Sequence, residues 1–108
     1  MTNSAARQPS LDDVFVRSPD IVAREIAGEC LLVPIAHRGA NLDAIYNLNR
    51  VGAFIWRRID GLTPGHAIVG GVAQQFAVEP ERAAADFSEF ASLLLSIGAI
   101  SAALSQPR

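Results

Sequence analysis

The chain has 108 residues, half of them hydrophobic and 19% charged, which is the composition of one globular domain rather than of a disordered segment. All nine basic residues are arginine and the formal net charge is −2. This balance disfavours a nucleic-acid partner, and the lack of lysine excludes Schiff-base chemistry within the chain. With one cysteine, no membrane-length apolar run and no signal-like N-terminus, we expect a cytoplasmic protein without disulfides or membrane contact.

The first half of the chain predicts a β-meander. Apolar and β-branched residues from Ile21 to Ile35 flank Gly28–Glu29, a pattern typical of a hairpin. Pro34 lacks a backbone donor, so we expect it at the end of its strand. After a polar loop, Asp43–Asn47 predicts a short third strand. The three strands would form an antiparallel meander.

The second half predicts three helices. Arg50–Ile59 has apolar residues at helical spacing, and Asn49 before it is a good N-cap. Thr63 is predicted to cap the second helix, and the third runs from about Pro80 to Leu95. Strands followed by segregated helices predict an α+β fold, in which a three-stranded antiparallel meander precedes three α-helices in a winged-helix-like arrangement.

Both ends of the chain lack hydrophobic periodicity. The polar start, which contains Pro9, predicts a flexible tail over residues 1–13, and the last eight residues predict a second tail over residues 101–108. We therefore expect one folded domain over residues 14–100.

The residues that could carry chemistry do not form a recognisable catalytic or metal-binding pattern. Cys30 lies within an apolar strand and is expected in the core, whereas His37 and His66 are isolated and His66 is expected at the surface. A zinc site needs several such ligands, and the carboxylates are scattered. We therefore expect no cofactor, no metal and no enzymatic activity.

The predicted third strand would have an unpaired edge, because it ends the meander. It carries no lysine or proline that would protect this edge. An open edge can take up an extended peptide by strand addition, in which backbone bonds give affinity and side-chain pockets give specificity.

Three segments resemble the PqqD family, the pyrroloquinoline quinone synthesis protein D group of peptide chaperones, also called RiPP recognition elements. They are GECLLVP, IYNLNRVGAFIWRRIDG and DFSEFASLLLSIGAI, and the likeness extends over about residues 14–100. Its most specific part is the pattern Leu48–Asn49, Gly52, Ile55–Trp56 and Asp60–Gly61. Nothing in these residues favours quinone cofactor synthesis over other peptide pathways.

The resemblance implies a noncatalytic protein that binds the leader of a ribosomally made precursor peptide. It would present the leader to a modifying enzyme, often of the radical S-adenosylmethionine type. The leader would add as a strand beside the third strand and lie against the third helix. The peptide-binding candidates carried over in this way are Asp43, Ala44, Ile45, Tyr46, Asn47, Asp86, Phe87, Phe90, Ala91 and Leu94.

Several alternatives remain open from the sequence. Arg82, near the start of the third helix, is a candidate partner for an acidic leader residue or else a solvated side chain. Some of the apolar candidates must be core residues, and periodicity does not divide Tyr46, Phe87, Phe90 and Leu94 between core and surface. The helical half also fits a winged-helix DNA-binding regulator, and a second copy of the chain could close the free edge in a homodimeric scaffold.

Overall fold

The computed structural model describes residues 11–34 and 45–103. A three-stranded antiparallel sheet in the order β2-β3-β4 is followed by three helices, which confirms the predicted α+β class. The elements in chain order are β1 (Phe15–Arg17), β2 (Ile21–Ile26), β3 (Glu29–Pro34), β4 (Tyr46–Leu48), α1 (Arg50–Arg58), α2 (Gly65–Phe76), α3 (Pro80–Ser96) and β5 (Ile100–Ala102).

A tight turn joins β2 and β3. Ile26 pairs with Glu29, so the two turn residues are Ala27 and Gly28, one position earlier than the predicted connection. Both have positive φ, 53° and 82°, as a type I′ turn requires. Pro34 is the last residue of β3, as expected.

The third strand of the sheet is shifted from its prediction. The expected strand was Asp43–Asn47, whereas β4 spans Tyr46–Leu48 and Ile45 precedes it. Leu48 pairs with Cys30 of β3, which places it among the buried residues of the inner face. Asp43 and Ala44 lie outside the described residues.

A second small sheet, which the sequence did not predict, joins the two ends of the domain. Strand β1 pairs with β5 in antiparallel register, with Phe15 opposite Ala102. The carbonyls of Leu11 and Asp13 accept hydrogen bonds from the first turn of α2. Hydrogen-bonded backbone therefore extends from residue 11 to residue 103 at the two ends of the domain.

The helix ends follow local hydrogen bonding. The Asn49 side chain accepts from the Gly52 N–H at 2.7 Å, which confirms it as the N-cap of α1. The predicted Thr63 cap is wrong: Pro64 occupies the N-cap position of α2 without a side-chain bond. The Thr63 backbone instead donates to the Asp60 carboxylate, because Asp60 forms an Asx turn between α1 and α2.

The core lies between the inner face of the sheet and the helices. Trp56 on α1 is 2% exposed, as a helix fixed against a sheet requires. Within the described ranges, no helix is long and apolar enough to cross a membrane. The core residues with no exposed surface are Leu32, Ile55, Val72, Ala83, Phe87, Ala91, Leu94 and Ala99.

Candidate functional site

Strand β4 leaves one edge of the sheet open within the described part of the chain. It pairs with β3 on one side, and the strand order β2-β3-β4 gives it no strand on the other. It is also short, at three residues. An edge of this kind presents backbone donors and acceptors to a partner.

The hairpin turn determines which backbone groups of β4 point outward. A type I′ turn hydrogen-bonds its first residue to its fourth, so Ile26 and Glu29 form a hydrogen-bonded pair. Antiparallel pairs alternate between bonded and non-bonded. The backbone of Leu31 therefore bonds to β2 and not to Asn47, its partner on β4. It follows that the N–H and C=O of Asn47 face the open edge.

A groove between α1 and α3 begins at the residue that follows this edge strand. Its volume is about 560 Å³. On the α1 side it starts at Asn49, directly after Leu48, and on the α3 side it extends from Arg82 to Leu93. We call it the α1–α3 groove, and its lining residues are Asn49, Val51, Gly52, Ile55, Arg82, Asp86, Glu89, Phe90 and Leu93.

The apolar part of the α1–α3 groove depends on a close approach between its two helices. A Cβ atom built on Gly52 would lie 3.3 Å from two ring carbons of Phe90 and 3.2 Å from the Asn49 side-chain oxygen. The missing side chain thus lets the ring of α3 approach α1 beside its N-cap. Leu93 extends this apolar wall and is 42% exposed.

The polar part of the groove lies on α3. The Nε of Arg82 is 3.3 Å from an oxygen of Asp86, one helical turn away. Glu89 lies one turn further along and is exposed. The groove therefore offers an apolar surface with one ion pair and one additional carboxylate beside it.

The residues that the resemblance suggested fall into groove-lining, buried and edge positions in the structure. Arg82, Asp86 and Phe90 line the groove together. Phe87 and Leu94 are fully buried, so they support the wall from beneath and are not surface candidates. Ala91 is also fully buried. Tyr46 is half-buried and packs against the core. Ile45 is 58% exposed and Asn47 is exposed at the edge, where its side chain donates to Glu29.

Six groove residues were not among the sequence candidates. Four of them follow β4 at the N-cap and on α1, within the segment whose pattern resembled the family, so that pattern was the available signal. Glu89 and Leu93 follow Asp86 and Phe90 by three residues each, which is the spacing of one helical face. The missed residues are Asn49, Val51, Gly52, Ile55, Glu89 and Leu93.

The remaining reactive groups stand apart from the α1–α3 groove. Burial raises the pKa of the Cys30 thiol above its usual 9.0, with Arg57 acting in the opposite direction and Glu25 in the same direction. A thiol with this shift is a poor nucleophile at neutral pH. His66 is exposed, as expected. Among residues 11–34 and 45–103, no group of three or more His, Cys, Asp and Glu side chains is placed to hold a metal ion.

The fold and the groove define a class of small α+β domains, in which an open strand edge meets a cleft between two helices. The sequence over residues 29–100 matches the family described as coenzyme PQQ synthesis protein D. The chain belongs to this PqqD family, which confirms the resemblance found in its motifs.

A solved structure shares the fold. It is TbiB1 in complex with the TbiA(beta) leader peptide, which superposes with a TM-score of 0.66 at 18% sequence identity. The match covers 84% of this chain and 99% of TbiB1. No curated protein sequence matches the chain significantly.

Proposed function

We propose that this protein is a noncatalytic leader-binding protein of a ribosomal peptide pathway. It binds the leader of a precursor peptide and presents it to the enzyme that modifies the peptide. Membership of the PqqD family supports this function, as does the leader peptide bound to TbiB1, which has the same fold.

The observation that carries the proposal is the position of the open edge beside the groove. The outward N–H and C=O of Asn47 can bond to an extended backbone, and Asn49, two residues later, lines the α1–α3 groove. A peptide added along β4 therefore has its backbone at the edge and alternate side chains directed at the groove. In this mode Asn47 and, two positions before it, Ile45 bind the backbone of the peptide, whereas Tyr46 bonds to β3. Asp43 and Ala44 are candidates for extending the same contact.

Backbone contacts and side-chain contacts have different roles in this binding mode. The ladder at β4 contributes affinity for any extended peptide, whereas the groove selects side chains by fit. Arg82, Asp86 and Phe90 are the proposed selecting residues from the earlier candidates. Phe87 and Leu94 act only by supporting the helix.

Catalysis in this scheme belongs to the partner enzyme. The family resemblance favours an enzyme of the radical S-adenosylmethionine type, and the protein then needs no cofactor of its own. Its role is to raise the local concentration of the precursor at that enzyme.

Strand addition is tested by a proline at the outward-facing position of β4. Asn47→Pro removes the donor that faces the open edge while leaving the bonds to β3 in place. Asn47→Ala is the matched control, because it loses the same side-chain bond to Glu29 but keeps the backbone N–H. The ligand is a synthetic peptide with the leader sequence of a candidate precursor, titrated into labelled protein and followed by amide NMR shifts.

We expect the alanine variant to bind the leader with shifts in β4 and α3, and the proline variant to remain folded by circular dichroism but to lose binding. If the folded proline variant binds with wild-type affinity, strand addition at this edge is wrong. Light scattering with and without leader tests the homodimer alternative, since a dimer closed through β4 would dissociate when the leader binds.

A further inference from the structure

The α1–α3 groove contains one charge that the described residues do not neutralise. Arg82 and Asp86 pair with each other at 3.3 Å. Glu89 lines the same groove and is exposed, and no described residue forms an ion pair with it. The lining therefore carries a net charge of −1, located next to the apolar surface of Phe90 and Leu93.

Covering this carboxylate has an energetic consequence. In the free protein, water solvates Glu89. A peptide that fills the groove removes part of that water, and a covered ion without a partner opposes binding. A basic residue on the peptide removes the penalty and adds a charge-assisted contact.

We propose that the α1–α3 groove selects a leader in which a lysine or arginine faces Glu89 and a large apolar residue faces Phe90 and Leu93. The inference rests on the proposed function, because it assigns a sequence preference to the same binding site. Glu89 is then a specificity-determining residue, and the ligand is a basic–apolar peptide segment.

The geometry of the helix also predicts the spacing of the two residues. Glu89 and Leu93 are separated by four helical positions, or about 6 Å along the axis. Side chains on one face of an extended peptide recur every second residue, or about 6.6 Å. The groove follows α3 from Arg82 to Leu93, so an extended occupant has its basic and apolar residues two positions apart. The orientation of the peptide sets their order.

An acidic leader residue at the same place is the competing possibility. Arg82 is the only cation that lines the groove within the described residues, and it is already paired with Asp86. An acidic residue would have to displace Asp86 and would lie near Glu89. Both effects oppose binding, so the basic residue is favoured.

Charge substitution on α3 tests the inference with the same synthetic leader. We expect Glu89→Gln to weaken binding about three- to tenfold, where tenfold corresponds to about 1.4 kcal/mol. Glu89→Arg should weaken it further, and the effect should diminish at high salt. Glu81→Gln is the matched control, because it makes the same charge change on α3. Glu81 lies in the first turn of that helix and does not line the groove. This variant should bind within twofold of wild type.

Replacing each basic leader residue with glutamine in turn then identifies the partner. The leader residue that contacts Glu89 is the one whose replacement weakens binding to wild type but not to the Glu89→Gln protein, because that variant has already lost the contact. Wild-type affinity in Glu89→Gln, tighter binding in Glu89→Arg, or a bound leader without lysine or arginine each overturns the inference while leaving the proposed function intact. A wild-type protein that does not bind the leader overturns both.

Discussion

Gly52 of α1 lies directly against the ring of Phe90 of α3, and a Cβ atom at Gly52 would approach two of the ring carbons to 3.3 Å. Contacts this short force a neighbour to move. The same Cβ would lie 3.2 Å from the Asn49 oxygen that caps α1. The glycine therefore controls both the width of the groove and the start of the helix that follows the edge strand.

The first prediction compares Gly52→Ala with Gly70→Ala. Alanine in a helix interior normally stabilises by about 0.5–1 kcal/mol relative to glycine. Gly70 has open space around its Cβ position, so Gly70→Ala should show this gain in denaturant unfolding. We expect Gly52→Ala to show no gain, because Phe90 and Asn49 must shift, and to bind leader several-fold more weakly.

Equal stabilisation by the two substitutions, with unchanged leader binding, would show that Phe90 moves without cost. The binding comparison needs no assumption about stability, since both variants are measured while folded.

The second prediction concerns the sheet that joins the chain ends. Phe15 of β1 is 2% exposed, and its ring centroid lies 6.2 Å from that of Phe87. Phe15→Ala should lower the free energy of unfolding by about 3–5 kcal/mol, as for other buried aromatic truncations. Val16→Ala is the control, because Val16 lies on the same strand with 39% exposure and should cost under about 1 kcal/mol.

A small effect of Phe15→Ala in thermal and denaturant unfolding would contradict the pairing of β1 with β5, since the ring would then not be part of the core. Val16→Ala separates loss of the ring from a general weakening of the strand.

The pairing of β1 with β5 is a part of the fold that the sequence does not predict. The hairpin and the helices were predictable because each is encoded locally, in a turn, a cap or a 3.6-residue period. Strand β1 has three residues and pairs with β5 more than 80 positions away, so no local period identifies it. Such pairings are decided by tertiary packing.

The candidate site divides in the same way. Motif resemblance pointed to the third strand and the third helix, and the structure places an open strand edge at β4 and a groove along α3. The resemblance did not separate Phe87 from Phe90, because they are three positions apart and both fall within one apolar stripe. Their separation into a buried and a groove-lining ring depends on how α1 packs against α3, through Gly52.

The third prediction is a pH dependence at the Asx turn between α1 and α2. Backbone N–H groups of Leu62 and Thr63 donate to the Asp60 carboxylate and lower its pKa below the usual 3.8. A group whose pKa is lowered by folding stabilises the folded state above its unfolded pKa, and this contribution is lost as the pH falls through the folded value. The denaturant concentration at half-unfolding should therefore be higher for wild type than for Asp60→Ala near neutral pH. This difference should shrink below pH 3.8.

Asp60→Asn keeps a side-chain acceptor without the charge, so it should fall between the other two near neutral pH and show no titration. A difference between wild type and Asp60→Ala that stays constant down to pH 2 would mean that the turn does not sense ionisation of this carboxyl.

The fourth prediction concerns Cys30, whose thiol is buried on the inner face of the sheet opposite Leu48. Burial raises its pKa above the usual 9.0, so the thiol stabilises the folded state below that pH and loses this effect as the pH rises through the folded value. Relative to Cys30→Ala, wild type should therefore lose stability above pH 9 in denaturant unfolding. Iodoacetamide should label the native protein slowly at pH 8 and the urea-unfolded protein at the rate of a free thiol, because only unfolding exposes the thiolate. Equal labelling rates for the native and unfolded chains, with leader binding retained, would place Cys30 at the surface and contradict its burial on the inner face of the sheet.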